Sequence, residues 1–101
     1  GANVEVNLAK EYMLMSSYPN PFNPETTISY ELTQSGSIDL AVYNMLGQKV
    51  STLLNGYVDA GSYKSVWNGL DKNGSEMPSG IYMLRLTSAN NSISEKVTLL
   101  R

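Results

Sequence analysis

The sequence predicts an all-β domain, an antiparallel β-sandwich of about seven strands. Three observations predict it. Apolar and polar residues alternate over short runs, the period of a half-buried strand. Turn signals built on Gly, Asn, Asp and Pro recur about every 8–12 residues. Helix signals are nearly absent. Even "VEVNLAKEYMLM" alternates Val4, Val6 and Leu8 with Glu5 and Asn7, which argues for an extended segment.

Residues 3 to 10 read as a linker or edge strand, and "YMLMS" (12–16) as the first strand proper. Next comes "SSYPNPFNP" (16–24), where Pro19, Pro21 and Pro24 forbid a helix or a central strand. Proline pre-sets φ and restricts its neighbour, so such a knot costs little entropy to hold in one shape. Phe22 is expected to tuck inward as a peg, with Asn20 and Asn23 tying the bend to its own backbone.

"TTISYELT" places Ile28, Tyr30 and Leu32 on one face. "QSG" (34–36) turns the chain, and "SIDLAVYN" repeats the pattern with Ile38, Leu40 and Val42 inward, so the two runs read as an antiparallel hairpin. "NMLGQ" (44–48) is a tight turn in which Gly47 is free to take a positive φ. "KVSTLL" (49–54) follows and "NG" (55–56) is expected to close it. After the turn Asp59–Gly61, "SYKSVWN" puts Tyr63, Ser65 and Trp67 on one face and Val66 on the other. A long loop (68–80) leads to "IYMLRLTS" (81–88) and "SISEKVTLL" (92–100), joined by "ANN". Two facing sheets would bury Ile28, Tyr30, Leu32, Ile38, Leu40, Val42, Trp67, Tyr82, Leu84, Leu86 and Val97. At ~25 cal/mol per Å² of apolar area, that cluster is the main term holding the domain together.

A chain of 101 residues fits one domain and can bury a core without staples. It has no cysteine, so no disulfide framework or thiolate metal site is available. Seven basic and nine acidic residues are scattered along it, with no cluster able to neutralise a run of phosphates. Nucleic acid is therefore not an expected partner. No apolar run approaches a membrane span, and no signal peptide is present. The opening Gly1-Ala2 is compatible with a cloning remnant, and the chain with a piece cut from a longer protein.

Histidine, the usual general base, is absent. Thirteen serines include none in a Gly-x-Ser-x-Gly context. "DKNGSE" (71–76) has the Asp-x-Asn-Gly start of a calcium loop, but its sixth position is Glu76 and its twelfth Tyr82, where an EF-hand needs Gly and Glu. A plain hairpin loop fits better. Trp67 and the seven tyrosines could stack on sugars, yet an aromatic on an alternating strand is more often core. Glu31, Asp39 and Glu95 show no spacing that favours a carboxylate pair over solvated strand faces. These residues predict neither catalysis nor a cofactor.

Four ordered blocks carry a resemblance: "YPNPFNPETTISYEL", "VYNMLGQKV", "AGSYKSVWNGLDKNGSEMPSGIYMLRL" and the terminal "KVTLLR". Over about residues 12 to 101 the chain resembles the type A C-terminal sorting domain of the type IX secretion system. That family is related to the immunoglobulin-like domain of flagellar hook-capping proteins. The resemblance implies an immunoglobulin-like sandwich that is the last domain of an exported protein, fused behind an N-terminal cargo and reaching the cell surface or medium through the periplasm. It implies recognition by an outer-membrane translocon, then cleavage or anchoring by a sortase-like peptidase, with the cut in the linker around residues 3 to 11. By position, the recognition blocks fall on Pro19, Asn20, Pro21, Phe22, Asn23 and Pro24, on Gly80 and Tyr82, and on the tail from Lys96 to Arg101. Ser65 departs from the apolar residue usual there. Structural readings stand beside these: Gly80 releasing the loop into its strand, and Tyr82 in the core with its hydroxyl on a nearby carbonyl. The alternative function is an immunoglobulin-like spacer or adhesion module contacting proteins or glycans.

Overall fold

The computed structural model describes residues 13–101. The expected linker over 1–11, the cut around 3–11 and Tyr12 lie outside the described residues. Seven strands follow in order: β1 (Met13–Tyr18), β2 (Thr26–Leu32), β3 (Gly36–Tyr43), β4 (Lys49–Val58), β5 (Gly61–Trp67), β6 (Gly80–Thr87) and β7 (Ser92–Leu99). They form two antiparallel sheets, β1-β2-β5 and β4-β3-β6-β7, packed as a sandwich.

Alternation fixes which side chains face the partner sheet. Ile28, Leu40, Val42, Leu84, Leu86 and Val97 are fully buried, as are Phe22, Trp67 and Leu99 to within two per cent. Each such side chain contributes roughly 1.5–3 kcal/mol. All eleven expected core residues are buried; Met13, Phe22, Val50 and Leu99 join them. Ser65 lies opposite Ile28, its hydroxyl 3.5 Å from the Tyr30 hydroxyl.

The pairing differs from the local reading. β2 and β3 do not form a hairpin: β2 pairs with β1 and β5, and β3 with β4 and β6. The "QSG" segment carries the chain from one sheet to the other, and period-2 alternation specifies facing, not neighbours. β4 also runs through Asn55-Gly56, with Gly56 opposite Ile38 inside the ladder. An Asn-Gly pair marks a turn only where the neighbouring strand does not already hold it.

Exposed sheet edges invite pairing with other chains. On β4, register shifts after Leu40 and Val42 interrupt the ladder, and Lys72 N donates to Val50 O at 3.0 Å. On β7, the covering element is the proline knot.

Candidate recognition face

The knot follows β1 directly, which extends to Tyr18 rather than ending at Ser16. Its three X-Pro bonds are cis. Thr26, fully buried at the start of β2, donates its hydroxyl to Pro19 O at 2.7 Å, tying the two ends of the knot together. Phe22 then lies beside the last strand in a parallel bridge to Leu99. Its N–H donates to Thr98 O and its carbonyl accepts from Leu100 N, both at 2.9 Å.

Asn20 reinforces this contact and corrects an expectation. Its Nδ2 donates to Lys96 O and its Oδ1 accepts from Thr98 N, both at 3.0 Å. The amide thus replaces a strand neighbour for β7 rather than closing its own bend. The peg expected at Phe22 is present: its ring is 2% exposed and sits 5.5 Å from Trp67, which lies 5.1 Å from Tyr82 edge-on. Pro19, Asn20, Pro21, Asn23 and Pro24 stay exposed around it.

The other blocks meet the same region. Gly80 opens β6 opposite Leu99 with φ +156, a conformation that a side chain disfavours. Tyr82 is buried and donates its hydroxyl to Pro78 O at 2.7 Å, as the core reading expected. Burial pushes that hydroxyl's pKa above its usual value, while the Arg101 charge opposes the shift. Trp67 Nε1 donates to Leu70 O at 2.9 Å, so the indole is a core group with its polar edge satisfied and not an open sugar platform.

Arg101 closes the assembly. Its N–H donates to Ser79 Oγ at 2.8 Å, its Nε to Met77 O at 2.5 Å and its Nη2 to Gly69 O at 2.7 Å. Glu76 lies 3.7 Å from Nη1. Sequence reading missed two supports here. Gly69 is buried at φ +77, and a Cβ on it would meet Arg101 Nη2 at 2.8 Å. Thr26, the other, continues the inward alternation of Ile28, Tyr30 and Leu32, but a search for apolar residues passes over its hydroxyl.

The ten residues singled out therefore converge on one end of the sandwich, around the β7 edge. The groups weighed for other chemistry lie apart from one another. Asp71 Oδ1 accepts from Asn73 N and Ser75 N at 2.8 and 2.9 Å, holding a hairpin closed by the Leu70–Glu76 bridge. Glu31, Asp39 and Glu95 are engaged by Ser62, Asn55 and Ser17 respectively. A hollow of about 600 Å³ along β1, β2 and β5, lined by Met15, Tyr30 and Tyr63 among others, includes none of the ten.

Two antiparallel sheets and a capped edge define an immunoglobulin-like β-sandwich. Comparison with known proteins makes the class specific. The family model of the secretion system C-terminal sorting domain matches residues 16–99. The chain belongs to that family, and its function is that of a sorting signal for type IX secretion. The family is one of signals, not catalysts. No curated protein sequence matches the chain.

Among solved structures, dimeric latent PorU from Porphyromonas gingivalis matches at 17% identity and TM-score 0.72, over 98% of this chain and 10% of that one. PorZ, a surface component of the type-IX secretion system of the same organism, matches at 18% identity and TM-score 0.56, over 86% of this chain and 11% of its own. FlgD from Xanthomonas campestris, a hook-capping protein, matches at 20% identity and TM-score 0.59, over 89% and 67%. At these identities the likeness is one of fold. This chain spans about a tenth of the PorU and PorZ chains.

Proposed function

We propose that residues 12–101 act as a passive address label, read as a folded surface by the outer-membrane translocon after the cargo has entered the periplasm. The label is the end of the sandwich where the knot, Gly80, Tyr82 and the tail from Lys96 to Arg101 meet. A sortase-like peptidase then cuts in the linker around residues 3 to 11 or anchors the N-terminal cargo at the surface, and the domain itself performs no catalysis. One observation supports this reading above the others. Stretches about 75 residues apart, Asn20 with Lys96 and Thr98, are joined by direct hydrogen bonds, while five polar or proline residues of the knot remain exposed. Pro21, Asn23 and Pro24 present exposed surface beyond the edge cap that Phe22 and Asn20 make.

The test fuses residues 1–101 behind a fluorescent protein carrying an export signal, in a host with the type IX system. Surface or medium fluorescence is expected. Retention in the periplasm, with the domain folded, would overturn the proposal.

A further inference from the structure

The β3–β4 hairpin carries two large apolar side chains into solvent: Met45 is 64% exposed and Leu46 84%. The turn that presents them pairs four of its backbone N–H groups internally, those of Asn44, Leu46, Gly47 and Gln48. Asn44 Oδ1 accepts from Leu46 N and Gln48 N at 3.0 and 2.9 Å. Asn44 N donates to Gln48 O and Gly47 N to Asn44 O, each at 3.0 Å. Asn44 Nδ2 donates to Gln48 Oε1 at 2.7 Å, and Gly47 supplies the required positive φ of 84°. A tip with most of its N–H groups paired internally gives up fewer hydrogen bonds on leaving water than an unpaired one does.

Behind the tip, the outer face of the four-stranded sheet is cationic. The Tyr43 ring lies between Lys49 Nζ, 6.0 Å from its centroid, and the Arg85 guanidinium, 5.6 Å away. Lys96 is the outward neighbour of Met83, which is in turn the neighbour of Tyr43. Asp39, 3.8 Å from Lys49, is the carboxylate on these outward positions, in a chain whose acids outnumber its bases. A hollow of about 220 Å³ opens between the tip and the cations, lined by Tyr43, Met45, Met83 and Arg85 among others.

From this arrangement we infer that the outer face docks on an anionic lipid surface. Met45 and Leu46 enter the interface, Tyr43 sits at headgroup depth, and Lys49, Arg85 and Lys96 meet the phosphates. An apolar groove on a protein would bury the tip equally well, but it would supply no anion to Arg85 and Lys96, which among the described residues have no carboxylate paired with them as Lys49 has in Asp39. The charge complementarity selects the lipid surface.

Flotation of the 101-residue chain with vesicles tests this. Phosphatidylglycerol–phosphatidylethanolamine vesicles are expected to carry the protein in ~0.1 M salt and to release most of it in ~1 M salt. Pure phosphatidylcholine vesicles should carry little. Met45→Ser with Leu46→Ser should weaken binding to anionic vesicles at least about tenfold, and so should Lys49→Gln, Arg85→Gln and Lys96→Gln together. Melting temperature checks the fold of each variant; should the double substitution lower it, Leu46→Ser alone carries the test. Failure of the unchanged chain to float with anionic vesicles would overturn the inference. So would undiminished binding of the folded Leu46 variant, which would show that the tip does not enter the lipid surface. Vesicle binding needs no export machinery, so its outcome and that of the export experiment are independent.

Discussion

Phe22 and Leu99 are bridge partners: the backbone of Phe22 exchanges hydrogen bonds with the residues on either side of Leu99, at 2.9 Å each, while its ring fills the core against Trp67. One residue thus caps a sheet edge and seals the end of the sandwich. Phe22→Ala is expected to cost about 3–5 kcal/mol, a large fraction of the stability of a domain this size. Asn20→Ala removes only exposed amide contacts and should cost about 1 kcal/mol. Urea denaturation of both variants checks the ordering; equal losses would mean that the ring contributes little beyond the bridge.

Removing the last five residues, Val97 to Arg101, is expected to block export if the tail is read. The structure gives that deletion a second effect. Val97 and Leu99 have no exposed surface, so the truncated chain should also lose its cooperative unfolding transition. Arg101→Ala separates the two. It keeps the core and removes the side-chain bonds to Gly69 and Met77, and is expected to cost about 1–2 kcal/mol. Hydrogen exchange should rise over residues 69–79 and stay unchanged in β2.

Gly69→Ala should destabilise the same end from the other side. A left-handed backbone costs a residue with a Cβ about 1–2 kcal/mol, and the added methyl displaces Arg101 Nη2, 2.8 Å from its position. In combination with Arg101→Ala the loss should be smaller than the sum, because the clash is already relieved. Full additivity, measured by a double-mutant cycle, would show that the two residues do not interact.

Pro21→Ala with Pro24→Ala addresses display rather than stability, since both prolines are exposed. Export of the fusion should fall more than the melting temperature does. Parallel losses would assign the prolines to the fold alone.

Tyr82 gives the domain a pH signature. Its folded pKa lies above the ordinary value near 10, chiefly through burial. The native state therefore holds that proton more tightly than the unfolded chain does. The associated stability is complete below about pH 10 and is lost as pH rises toward the folded pKa. Tyr82→Phe should lose the bond to Pro78 O, about 1 kcal/mol at neutral pH, and show a flatter decline in melting temperature above pH 10. An unchanged alkaline slope would place the titrating group elsewhere.

Strand identity was legible because facing is a local property: Ile28, Tyr30 and Leu32 alternate with polar residues, and all three are buried. Strand partners were less so. The turn after Leu32 looks like a hairpin turn, yet it crosses between sheets, and nothing within eight residues of it encodes that choice. At the recognition face the prolines and Phe22 were visible as a knot, but Asn20 finds its partners 76 and 78 residues away. Gly69 and Arg101 meet across 32 residues. Contacts of that span belong to the assembled sandwich; the family resemblance grouped Asn20 with Arg101 beforehand, and Gly69 was not among its residues.

The join between the knot and β7 makes the exposed surface discontinuous in sequence. A peptide copied from residues 16–24 has no β7 carbonyl to bind Asn20, and one copied from 92–101 has no Phe22 to cover its edge. An unfolded chain contains every one of these residues and presents none of their arrangement. On the function proposed above, a receptor for this surface would in the same act inspect whether the domain has finished folding.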